Sequence, residues 1–123
     1  MKTKTTAQLK KMLWKVFSEY IRKRDKNRCF TCGKFAEGSG YHAGHFIAKA
    51  SGGLALYFNE DNVHGQCYNC NINLGGNSYI FGKNLGQKAE ELYKLKQTNV
   101  KWSAQDYLDK IEYYKKKIHE ISL

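Results

Sequence analysis

The sequence predicts a mainly helical α+β fold, and three observations carry that expectation. Apolar residues recur at helical spacing near both ends of the chain, glycines and asparagines crowd the middle, and all four cysteines fall in that middle as two Cys-x-x-Cys pairs. The pairs predict a centre stapled by zinc, with helices on either side. At 123 residues the chain has the size of one domain. It is therefore read as a single domain, 1–123, with a basic helix at 6–25, a zinc-bound core at 28–82 and helices at 84–121.

The first element is amphipathic. Leu9, Met12, Leu13, Val16, Phe17, Tyr20 and Ile21 mark one face, opposite Lys10, Lys11, Lys15, Arg22 and Lys23, and such a stripe is expected to face the core. Thr5 and Gln8 have the spacing of a capping box. Residues 1–34 hold eleven Lys or Arg against Glu19 and Asp25, a local excess of nine within a formal net charge of +10. A polyanion suits such a segment, because neutralised phosphates release condensed counterions. Lys11, Lys15, Arg22, Lys23, Arg24, Lys26 and Arg28 are the candidate DNA contacts. A solubilising surface is the plainer alternative.

No run of about 18 apolar residues exists to span a membrane. The first residues also lack the uninterrupted apolar core of a secretion signal, so a cytoplasmic setting is expected. In such a reducing compartment paired cysteines hold metal more often than they form disulfides.

The central segment follows. A strand is expected at 41–47, a flexible loop around Gly52 and Gly53, a second strand at 62–66 and a short helix after Cys70. Cys29 and Cys32 form one knuckle, Cys67 and Cys70 the other, with 34 residues between them. Each Cys-x-x-Cys turn sets two thiolates on one side of a tight loop, and two such turns complete the tetrahedron zinc accepts. Gly33 suits the turn after Cys32. A closed four-sulfur site makes this Zn²⁺ structural and a contributor to folding. Two disulfides or a redox pair are the alternatives. So long a gap between knuckles has to carry something, and it holds His42, His45, Asn62 and His64, with Asn71 and Asn77 just beyond.

The last third returns to helical spacing. Ala89, Leu92, Tyr93 and Leu95 form a modest stripe. Ser103 is a natural N-cap with Asp106 three residues on, and Tyr107, Leu108, Ile111, Tyr114, Ile118 and Ile121 continue one face. Lys115, Lys116 and Lys117 read as a solvated helix end, and His119 is given no role.

Hydrolysis of a phosphodiester needs a base to activate water and a cation to offset charge on oxygen. His45 is the candidate base, because a neutral imidazole works near physiological pH.

The order of Cys-x-x-Cys, Gly44-His45, Asn62 five residues before Cys67, then Asn71, resembles the HNH nucleases of the ββα-metal (His-Me finger) class. In that class a two-stranded hairpin and a helix grip one divalent ion. The chain is more closely similar to the phage lambda NinG (Rap) recombination-protein family. That likeness rests on Cys29-x-x-Cys32-Gly33, His42-Ala43-Gly44-His45-Phe46, the stretch 58–71, Leu74-Gly75-Gly76-Asn77 and the helix with Tyr20-Ile21-Arg22-x-Arg24-Asp25. It covers residues 20–81 well and the helical tail loosely.

The resemblance implies a phage-encoded, metal-dependent, structure-selective DNA endonuclease acting on branched recombination intermediates such as Holliday junctions and D-loops. It implies that Asn62 orients the His45 ring through a hydrogen bond. It also implies that Asn71 offers an oxygen to a catalytic Mg²⁺ or Mn²⁺, as in the similar phage endonuclease VII. Many HNH enzymes carry Asp or His where Gly44 stands here. The missing ligand is therefore expected from His42 or His64, both also held as catalytic candidates, with Asn77 third. Two coordinated cuts suggest a homodimer. The alternatives are a noncatalytic zinc-containing DNA-binding module, or an HNH nuclease serving restriction or DNA packaging.

Overall fold

Thr5 opens the first helix of the computed structural model, which describes residues 3–123. Its hydroxyl accepts from the Gln8 backbone at 3.2 Å, and the Gln8 side chain accepts from the Thr5 backbone at 2.8 Å. This is the expected capping box, and it starts α1 (Thr6–Arg24). Leu9, Leu13, Phe17, Tyr20 and Ile21 are buried along it. Met12 and Val16, expected in the same stripe, sit at its edge and line a shallow groove against the last helix. That helix, here α6 because it is the sixth in the chain (Ala104–Ser122), begins with a second capping box between Ser103 and Asp106. Tyr107, Ile111 and Tyr114 face α1 and join Phe58 and Val63 in one core. Each fully buried side chain of this kind contributes roughly 1.5–3 kcal/mol. Leu108 and Ile121, expected on that face, are exposed; the narrow seam of two packed helices has no room for residues on its flanks.

Two short strands lie against this helix pair. β1 (Tyr41–His45) and β2 (Val63–Cys67) are antiparallel, with Tyr41 opposite Cys67, Gly44 opposite His64 and His45 opposite Val63. Alternation along each strand gives the hairpin two faces. Ala43 and Val63 pack against the α1 core. His42, Gly44, His64 and Gln66 belong to the opposite face.

The connection between the strands is more ordered than expected. Around Gly53, at φ +63°, it forms two single turns, α2 (Lys49–Gly52) and α3 (Leu54–Tyr57). Buried Asn62 fastens it: Oδ1 accepts from Ile47 N–H at 2.8 Å, and Nδ2 donates to the carbonyls of Ile47 at 3.1 Å and Leu56 at 2.9 Å. After β2 comes a π-helical turn, Asn69–Asn73, and then α4 (Ser78–Leu85) and α5 (Gln87–Leu95). The helix expected after Cys70 therefore starts later, and runs across the boundary drawn at residue 82. Ile47, Leu56, Phe81, Leu85 and Leu92 make a second core beneath it. No helix among the described residues is long and apolar enough to cross a membrane.

Candidate functional site

The four cysteines come together. Gly33, at φ +78°, turns the first knuckle back so that its N–H donates to Cys29 O at 2.8 Å. The sulfurs of Cys29, Cys32, Cys67 and Cys70 all lie within 4.8 Å of one another. Cys32 and Cys67 are 3.7 Å apart, close to the edge of about 3.8 Å that a tetrahedron with 2.3 Å Zn–S bonds requires. Burial opposes ionisation of Cys29. Hydrogen bonds from the Thr31 hydroxyl and from neighbouring backbone N–H groups outweigh it and bring that thiol down to about 6. The donor set fits a structural zinc.

On the α1 side of the hairpin stands His45. Trp14 stacks on its ring, with centroids 5.2 Å apart, and Tyr57 meets it edge-on at 5.3 Å. Its Nε2 lies 2.9 Å from Tyr57 O; a carbonyl only accepts, so Nε2 carries the proton and Nδ1 is left with the lone pair. Burial, helped by the charge of Lys49 and opposed by the Tyr57 carbonyl, pulls the imidazole down to about 4. The ring is therefore neutral at neutral pH. Lys49 and Lys10 hold their ammonium groups 4.4 Å from the ring centroids of Trp14 and Tyr57 respectively.

His45 and Asn71 line one open cleft of about 380 Å³, together with Gly44, Lys49, Gly75 and Gly76. Next to it, two amides have fixed orientations. His42 Nε2 lies 2.8 Å from Ser39 O, so in the neutral ring it donates, and Nδ1 must accept from Asn71 Nδ2 at 2.9 Å. Gln66 Nε2 donates to Thr31 Oγ1 at 3.1 Å and to Gly76 O at 2.9 Å. Both carbonyl oxygens are thereby turned toward Gly44. A Cβ on Gly44 would collide with Gln66 Oε1 and come within 3.0 Å of Asn71 Oδ1. Gln66 is fully buried, and its Oε1 has no hydrogen-bond partner, a deficit worth on the order of 1–3 kcal/mol.

Several expected site residues do other work. Asn62 does not bond the His45 ring; it pins the connection at Ile47 and Leu56, and the neighbouring Tyr57 carbonyl orients the imidazole. His64 is spent inside the fold. Its Nε2 lies 3.1 Å from Asp61 O and its Nδ1 3.1 Å from Arg24 Nη2, while its ring stacks on Phe30. Asn77 turns its amide to Cys70 Sγ at 3.8 Å, so it serves the cysteine cluster. Both nitrogens of His42 are engaged, which makes it a support for Asn71 instead of a ligand.

The basic residues also separate. Arg24, expected on DNA, is committed to Asp25 and to the carbonyls of Glu60 and Val63. Arg22 and Lys23 line a cleft of about 500 Å³ that His42 also borders. Lys15 lies in the groove between α1 and α6, and Lys11, Lys26 and Arg28 are exposed. The sequence reading missed Trp14, Lys49 and Gln66. A polar side chain at an inward strand position, beside a knuckle cysteine, was the one available signal for Gln66.

The family model for the Bacteriophage Lambda NinG protein matches residues 1–123. Protein ninG of Escherichia phage lambda is 30% identical over 92 residues, which cover 71% of this chain and 44% of the relative. Protein ninG of Escherichia phage 933W is 29% identical over 92 residues, 71% of this chain and 45% of its own length. The chain thus spans less than half the length of these curated relatives. No solved structure matches it significantly.

Proposed function

This chain belongs to the bacteriophage lambda NinG family, and from that premise we propose that it is a metal-dependent DNA endonuclease of the HNH, ββα-metal kind, acting on branched recombination intermediates. One observation carries the reading: a half-buried, neutral imidazole, His45, shares an open cleft with Asn71 and a lysine. In the ββα arrangement β1, β2 and the π-helical turn with α4 supply the hairpin and helix.

His45 accepts a proton from water at Nδ1. Its Nε2–H stays on Tyr57 O, which holds the ring in place and stabilises the imidazolium that forms. Trp14 and Tyr57 keep bulk water from the ring faces. Asn71 would hold a divalent cation, which when bound offsets charge on the phosphoryl and leaving oxygens. Lys49 and Lys10 neutralise DNA phosphates beside the base, and Arg22 and Lys23 extend the basic surface on the far side of His42. Contacts of this kind position a duplex without reading its bases, which suits selection by DNA shape. Paired cuts in a junction call for two clefts related by a two-fold axis, hence a homodimer, in the host cytoplasm where phage DNA recombines.

The test is a nicking assay on a labelled Holliday junction and on linear duplex, with Mg²⁺ or Mn²⁺. The wild type should cut the junction preferentially, and His45→Ala should lose roughly 10²–10⁴-fold in rate while still binding. Binding without any metal-dependent cutting would instead identify a noncatalytic zinc module. Equal cutting of both substrates would point to restriction or packaging.

A further inference from the structure

We propose that the Gln66 side-chain oxygen takes the ligand position that Gly44 leaves vacant, so that Gln66 Oε1 and Asn71 Oδ1 together bind one hard divalent cation. The identity of the cation, and of the DNA that shares it, rests on the nuclease reading above; the pairing of the two oxygens does not.

Three observations converge on it. Gln66 is fully buried and its Oε1 is the one buried side-chain oxygen or nitrogen without a partner among the described residues. Its orientation is enforced, because Gly76 O and Thr31 Oγ1 hold its NH₂ group on the other side. The same logic at His42 fixes Asn71. Both oxygens fall within 3.0 Å of the point where a Gly44 side chain would begin. A cation with bonds of about 2.0–2.6 Å can touch two oxygens so placed. Glycine at 44 is then a requirement: any larger residue would displace the Gln66 oxygen.

The chemistry of this pair differs from an Asp- or His-containing set. Both donors are neutral amide oxygens, which suit Mg²⁺ or Mn²⁺ and offer nothing soft to zinc. Asn71 lines the cleft and Gln66 does not, so Gln66 is the inner ligand. Lys49 on the rim repels free cations. The negative charge a dication needs must come from outside the protein, and a DNA phosphate in the cleft supplies it. Cation and DNA should therefore bind cooperatively, each tightening the other by the same factor.

The experiment titrates Mn²⁺ by electron paramagnetic resonance into zinc-loaded protein, in a His45→Ala background so that DNA stays intact, with and without a branched oligonucleotide. DNA should tighten Mn²⁺ binding about tenfold or more. Gln66→Leu should weaken it by a similar factor with DNA present. Should Gln66→Leu fail to fold, as judged by circular dichroism and zinc content, Asn71→Asp provides the second arm: adding a charge to the other ligand should tighten Mn²⁺ about tenfold without DNA. Unchanged binding in folded Gln66→Leu, unchanged binding in Asn71→Asp, or no Mn²⁺ binding by the parent protein with DNA would each overturn the proposal. Mn²⁺ binding that depends on Gln66 supports it whether or not the wild type cuts DNA, so failure to cut counts against the nuclease reading alone.

Discussion

The four-thiolate cluster and the amide cleft meet at neighbouring residues, Cys67 and Gln66, yet they are built on opposite principles. The cluster has anionic ligands, is closed on itself, and with Zn²⁺ carries a net charge of about −2. The cleft offers neutral oxygens and a lysine, and it is open. The first suits a permanent ion, and the cation proposed for the second would be a visiting one. The two are also joined, since Thr31 Oγ1 lies 3.3 Å from Cys29 Sγ and accepts from Gln66 Nε2, while Gly76, whose carbonyl holds Gln66, donates its own N–H to Cys70 O at 2.9 Å. The cluster supplies the rigidity and the cleft borrows it.

The largest effect expected is on the cluster. A strong chelator, or Cys67→Ser, should unfold the hairpin and its flanking loops, since structural zinc contributes on the order of 10 kcal/mol in small domains; circular dichroism and zinc content read it out. If the chelated protein kept its melting temperature, the cleft would not depend on the cluster, and the contrast between the two sites would collapse.

Acid should separate them next. The His45 pKa is about 4 in the folded chain, against the ordinary imidazole value of 6.5 that the unfolded chain adopts, so between those values the unfolded chain binds the extra proton. Stability from this residue is complete above pH 6.5 and falls as the pH drops toward 4, by up to about 3 kcal/mol. His45→Ala should flatten that part of the curve and leave untouched the losses caused by zinc release. Denaturant melts of both proteins across pH 4–7 measure the difference, and parallel curves would show that burial of His45 has no such effect. For the nuclease activity proposed above, the corresponding acid limb of kcat/KM should lie below about pH 5.

The smallest effects distinguish basic residues that look alike in sequence. Lys49→Ala should weaken DNA binding and reduce the slope of log K against log salt by roughly one contact, with little change in stability. Arg24→Ala should do the reverse, because its guanidinium links Asp25, Glu60 O and Val63 O inside the fold. A salt slope that changed with Arg24 and not with Lys49 would move the DNA track away from the cleft.

Much of this molecule is written in local patterns. Two capping boxes, the faces of α1 and α6, two strands and the cysteine cluster all follow from spacings of a few residues, where covalent geometry brings side chains to one side of a turn or helix. What the spacings could not decide is which polar groups pair across long separations. Asn62 could equally have served the His45 ring or the loop at Ile47 and Leu56, and Arg24 a phosphate or Asp25. Gln66 was one more strand residue until Thr31 and Gly76 held its amide nitrogen and left its oxygen facing Gly44. Periodicity reports which side of an element is buried, whereas a hydrogen-bond partnership depends on where the remainder of the chain places its donors and acceptors, and that only the assembled tertiary structure determines.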